Sequence, residues 1–125
     1  MLLPALAVGA KGAIGSTYTY AASLYLKVME HFEVGELAEA RQMQSNLVEM
    51  VRCILKYSPI PAQRAIMKMQ GFELGSSRLP LVSLTDSELN ALKSSLEEVG
   101  FFELLQQNSN ITQLKENGVI ASSTY

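Results

Sequence analysis

Apolar residues recur along this chain at helical spacing. Leu24, Val28 and Phe32 stand four apart, with Tyr25 and Met29 beside them, predicting a helix over residues 21–34 that Gly35 stops. Leu37, Ala40, Met43, Leu47, Met50, Val51 and Ile54 share one face of a second helix over 36–57. Ser58-Pro59-Ile60-Pro61 breaks it, because a proline pushes the residue before it out of the helical region. Pro61 suits the first turn of a third helix, 62–70, with Gly71 after it, and 75–80 reads as a loop. Thr85 and Glu88 form a capping box that opens a fourth helix, carried by Leu89, Leu92 and Leu96 to Val99. Residues 101–106 make a last apolar turn, and the polar, aperiodic 107–125 is expected to be a disordered tail.

Two stretches fall outside this pattern. Residues 2–8 are apolar but no capping side chain precedes them, so they read as the end of a helix begun further upstream. Gly12-Ala13-Ile14-Gly15-Ser16 reads as a short strand. One strand cannot satisfy its own backbone donors and acceptors, and even a hairpin is marginal in water. This strand therefore calls for neighbours that the sequence does not supply.

Composition narrows the function classes. At 48% hydrophobic and 18% charged residues, the balance is that of a globular domain. Ten basic against twelve acidic residues, without a basic cluster, give no electrostatic footprint for nucleic acid or an anionic membrane. The first ten residues resemble a signal peptide in apolarity, but they lack a basic start and include Pro4; a buried helix end is the preferred reading. A single cysteine, Cys53, excludes a disulfide within the chain and fits a reducing, cytoplasmic setting. With His31 as the one histidine, no metal site is expected.

The stretch that can carry chemistry is Gly9-Ala10-Lys11-Gly12-Ala13-Ile14-Gly15-Ser16-Thr17-Tyr18. Gly15 allows a tight turn or a close approach by a ligand. Ser16 and Thr17 offer hydroxyls and N–H groups just before a helix, where an anion or a sugar hydroxyl could bind. Equally, either hydroxyl could merely cap that helix.

This stretch resembles the last barrel strand of the N-acetylneuraminate lyases, in the dihydrodipicolinate synthase superfamily of class I aldolases. Arg64-Ala65-Ile66-Met67, then Gly71, then Arg78-Leu79-Pro80-Leu81 resembles that superfamily's C-terminal helical segment. Together the likeness covers about residues 1–106. The Gly-Ser-Thr-Tyr form favours the lyase branch, although Thr19 stands where the lyases usually carry Asn.

The resemblance implies an α/β fold, a (β/α)₈ TIM barrel. This chain would hold its last strand (12–16), the last helix and trailing helices, and so be mostly helical itself. The implied reaction is reversible cleavage of N-acetylneuraminate (sialic acid) to N-acetylmannosamine and pyruvate through a lysine Schiff base, without a cofactor. Ser16 is the implied substrate contact, and Gly15 lines the same pocket. The implied setting is a soluble homo-oligomer, commonly a tetramer, acting on a small molecule, with no nucleic-acid or membrane partner.

The lysine that forms the imine must sit desolvated on a strand inside the barrel. Lys11 precedes the strand, Lys27, Lys56, Lys68 and Lys93 are on helices, and Lys115 is in the tail, so no catalytic residue is expected in this chain. Tyr18 and Tyr20 are assigned to packing, since the family's proton-relay tyrosine lies on an earlier strand. Met43, Met50, Met67 and Met69 are read as core, Cys53 as a buried inert thiol, His31 as favouring a helix dipole, and Arg78 as fixing its loop. Alternatives are another Schiff-base 2-oxo-acid aldolase of the superfamily, or a non-catalytic helical module that binds a partner through an apolar surface.

Overall fold

A computed structural model describes residues 1–107 of the chain; the tail expected at 107–125 lies, from 108 on, outside the described residues. The elements are α1 (Leu2–Ala7), α2 (Tyr18–Glu33), α3 (Leu37–Ile54), α4 (Pro59–Met69), α5 (Asp86–Glu98) and a last helical segment, α6 (residues 101–107). The expected helices are thus present, with shifted starts. α2 begins at Tyr18 but kinks at Ala21 (φ −132°, ψ 22°), the residue where the periodic pattern begins. α4 begins at Pro59, because Ser58 is extended and both prolines fit a first turn whose N–H groups need no helical partner.

The core is one cluster fed by every helix. Leu24 and Val28 of α2, Leu47 and Met50 of α3, Ile66 of α4, Leu92 and Leu96 of α5 and Phe101 of α6 are all essentially without solvent exposure. α2 packs most extensively on α3, while α5 is held by α3 and α4. Leu2 and Leu6 bring α1 into the same cluster, so the apolar start of the chain is a packed helix here. Its missing local cap comes from α3: the buried Gln44 Oε1 accepts hydrogen bonds from Leu2 N (2.8 Å) and Leu3 N (2.9 Å). Met43, Met67 and Met69 pack against the cluster beside the buried Met50.

The strand expected at 12–16 does not form, and among the described residues there is no strand. Residues 10–15 have no regular structure, and 16–17 turn into α2. The reason is the one anticipated for an unpaired strand: no described residue hydrogen-bonds to the backbone of Lys11 to Ile14, and without a ladder the segment has nothing to define it. Ile14 is fully exposed. The capping box of α5, by contrast, is complete: Thr85 Oγ1 accepts from Glu88 N, and Glu88 Oε2 accepts from Thr85 N at 2.8 Å.

The loop between α4 and α5 is anchored differently from expectation. Arg64 on α4 donates from Nη2 to the Leu74 and Gly75 carbonyls and from Nε to Gly75 O (3.4 Å). Arg78 is exposed, and its carbonyl accepts from Leu81 N within a local turn. An arginine in the middle of a helix can reach a neighbouring loop, and the fork of its guanidinium spans two adjacent carbonyls.

Candidate functional site

The site is organised by the turn that opens α2. The carbonyls of Gly15 and Ser16 accept from Tyr18 N and Thr19 N, each at 3.2 Å, so both residues are fixed by backbone bonds at the mouth of the helix. The face of Gly15 is filled by a neighbour: a β-carbon there would sit 3.1 Å from the Tyr18 ring, closer than side chains comfortably approach. Tyr18 in turn stacks edge-on against Tyr25 with centroids 4.3 Å apart. What crowds position 15 is an aromatic ring, not a left-handed backbone conformation.

Neither hydroxyl at this turn caps α2. Thr17 stands at the N-cap position but makes no capping hydrogen bond; its side chain bonds to Tyr25 instead. Burial pushes the Tyr25 phenol above its ordinary value, and that bond opposes the shift. The Ser16 hydroxyl accepts from Gln63 Nε2 on α4 at 3.0 Å, a tie across 47 positions of chain. Capping is thereby removed as the explanation of Ser16, whose hydroxyl faces a second element.

Ser16, Thr19, Gln63 and Arg64 line a recess of about 130 Å³, with Ile60 and Met67 as apolar wall. Ser16 is exposed at its rim. Hydroxyl, amide and an arginine on an apolar floor suit a small polar molecule. No lysine lines the recess. Lys11 is exposed, Lys27 pairs with Glu30 at 2.5 Å, and Lys68 and Lys93 reach Glu73 and Glu97 on the helix surfaces. Among the described residues no lysine is held dry on a strand, and no cluster of His, Cys, Asp and Glu could hold a metal ion.

Tyr18 and Tyr20 both pack against other aromatic rings. Tyr20 is buried, lies edge-on to Phe101 at 6.4 Å, and its hydroxyl has no hydrogen-bond partner; burial pushes it far above the ordinary phenol value. Tyr18 touches Gly15 and Tyr25 as described. His31, in the last turn of α2, is 2.6 Å from Glu36. No helix among the described residues is long and apolar enough to cross a membrane.

Three glutamines were not legible as functional or architectural residues. Gln63 reaches Ser16, Gln70 Nε2 donates to Tyr20 O beside the kink in α2 at 2.9 Å, and Gln44 caps α1. Gln44 alone left a signal, since it falls between Ala40 and Leu47 on the apolar face of α3. Gln63 and Gln70 carry none, because their partners come from a distant segment.

Residues 1–99 match the Dihydrodipicolinate synthetase family. The chain is 29% identical over 99 residues to N-acetylneuraminate lyase of Rhizobium meliloti, covering 79% of this chain and 33% of that protein. It is 32% identical over 101 residues to 4-hydroxy-tetrahydrodipicolinate synthase of Acetivibrio thermocellus, covering 80% and 34%. Among solved structures it superposes on Aliivibrio salmonicida N-acetylneuraminate lyase with a TM-score of 0.74 at 31% identity, over 80% of this chain and 33% of the other. For Proteus mirabilis N-acetylneuraminate lyase the TM-score is 0.72 at 31% identity, over 78% and 33%. The chain spans about a third of the length of these relatives. The match over most of its residues and the shared helical arrangement place it: the chain belongs to the Dihydrodipicolinate synthetase family.

Proposed function

We propose that this chain forms the C-terminal part of a (β/α)₈ barrel aldolase that cleaves N-acetylneuraminate reversibly to N-acetylmannosamine and pyruvate through a lysine Schiff base. The observation that carries the reading is the match of residues 1–99 to the family, joined to the superposition on two N-acetylneuraminate lyases. In this reading the imine lysine and the proton-relay tyrosine belong to barrel strands outside this chain. The contribution of the chain is recognition: the Ser16 hydroxyl binds an oxygen of the sugar acid, and Gly15 with the Tyr18 ring shapes the wall beside it. A parallel barrel collects its ligands at the C-terminal ends of its strands, which is where the turn at Ser16 would lie. The substrate is a small molecule, and the working enzyme is proposed to be a cytoplasmic homo-oligomer.

A second reading has a specific observation behind it. Relatives of both names match the same stretch of this chain at like identity, 29% for the Rhizobium meliloti lyase and 32% for the Acetivibrio thermocellus synthase. Under that reading the same scaffold serves 4-hydroxy-tetrahydrodipicolinate formation. The two are separated by a chimera in which residues 1–107 replace the matching segment of the Proteus mirabilis lyase. Cleavage of N-acetylneuraminate should survive, and Ser16→Ala should raise KM for it by about fivefold, the loss of roughly 1 kcal/mol for one hydrogen bond. A chimera that folds and forms the pyruvate imine but has lost N-acetylneuraminate cleavage would favour the synthase.

A further inference from the structure

We infer that Gln63 is a positioning residue that sets the polarity of the Ser16 hydroxyl, making it a hydrogen-bond donor toward an acceptor oxygen of a polyhydroxylated 2-oxo acid. The inference rests on the reading of Ser16 as a substrate contact and adds a residue and a direction to it. A serine hydroxyl has one proton to give and two lone pairs to receive with. Gln63 Nε2 donates into one lone pair at 3.0 Å. The O–H proton is then left pointing away from Gln63, and no other described group takes it. Nor is the hydroxyl drawn toward the helix, because α2 has no side-chain cap.

Gln63 is partly buried on α4, next to Arg64, whose guanidinium is tied to the Leu74 and Gly75 carbonyls, and both side chains border the recess that Ser16 borders. The floor beneath is Ile60 and Met67, which offer the amide no competing partner. The donor arrives from an element 47 positions away, so the orientation of the hydroxyl is imposed by tertiary packing.

The test is a double-mutant cycle in the chimera with the Proteus mirabilis lyase, read as KM for N-acetylneuraminate and, separately, as pyruvate imine formation. Gln63→Leu should raise KM about threefold, part of one hydrogen bond's worth, and leave imine formation unchanged. In the Ser16→Ala background it should do nothing further, since Gln63 acts only through that hydroxyl. Polarity gives the sharper arm. Gln63→Glu, nearly the same shape but an acceptor, should capture the serine proton and raise KM at least as much as Gln63→Leu, whereas Gln63→Lys, a donor, should restore most of the affinity. An independent effect of Gln63→Leu in the Ser16→Ala background, or a harmless Gln63→Glu, would overturn the inference while leaving Ser16 in its role. No effect of Ser16→Ala on KM would remove the underlying reading, and the inference with it. Should Gln63→Leu fail to fold in the chimera, Gln63→Met, which also removes the donor, takes its place in the same cycle, and an effect of it in the Ser16→Ala background would overturn the inference.

Discussion

Cys53 shows how a potentially reactive side chain is silenced by its position. It lies on the buried face of α3 with its sulfur 3.6 Å from Ser95 O. Burial pushes the thiol above its ordinary value, and Lys56 only partly offsets this. The thiolate is the nucleophile, so a raised value and a covered sulfur both slow attack. Alkylation by iodoacetamide should be much slower in the folded chain than in urea; equal rates would mean that α3 and α5 do not hold together as described. Ser16 is the opposite case: an exposed hydroxyl held from behind by a long-range partner. Its candidacy was visible in the Gly-Ser-Thr-Tyr motif, whereas its partner Gln63 was not, because a bond across 47 positions leaves no periodic trace.

At the scale of elements, the helices that could be read were those with their own punctuation. The Thr85–Glu88 capping box, the prolines before α4 and the left-handed Gly35 after α2 (φ 82°) are local devices, and each does what its residue type dictates. The expected strand failed for a non-local reason: a strand is defined by its neighbours, and none is present among the described residues. The start of α2 fell between these cases, since Tyr18 to Tyr20 make a turn ahead of the kink at Ala21 that apolar periodicity does not register. The capping box also yields a pH prediction. Backbone and hydroxyl donors of Thr85 hold the Glu88 carboxyl below its ordinary value of 4.5. A lowered value in the folded state gives stabilisation that is full above 4.5 and is lost as pH falls through the folded value. Circular dichroism should therefore show helix loss below that point in the wild type, and less of it in Glu88→Gln, whose amide keeps the cap without titrating. Thr85→Ala should cost α5 about 1 kcal/mol at neutral pH. Identical acid titrations for wild type and Glu88→Gln would show that the box contributes nothing.

At the scale of the molecule, a well-filled helical core coexists with an uncovered apolar side. Leu2, Ala13, Tyr18, Tyr25, Leu26 and Met29 line a groove of about 200 Å³, and Ile14 and Leu26 are exposed nearby. Under the proposed reading the rest of a barrel of about 250 residues would cover that side, and amphipathic helices draw most of their stability from such packing. The isolated chain is thus expected to keep a helical circular dichroism spectrum, bind ANS, self-associate as concentration rises and unfold over a broad temperature range. A sharp two-state melt of a monomer would instead support a self-sufficient helical module. The central proposal, that this chain recognises substrate for chemistry performed by residues outside it, is tested most directly by borohydride trapping with pyruvate followed by peptide mapping. The chain alone should acquire no stoichiometric adduct, and its chimera with the Proteus mirabilis lyase should acquire one, on a lysine of the lyase portion. A clean single-site adduct on Lys11, or on any lysine of this chain, would contradict the account.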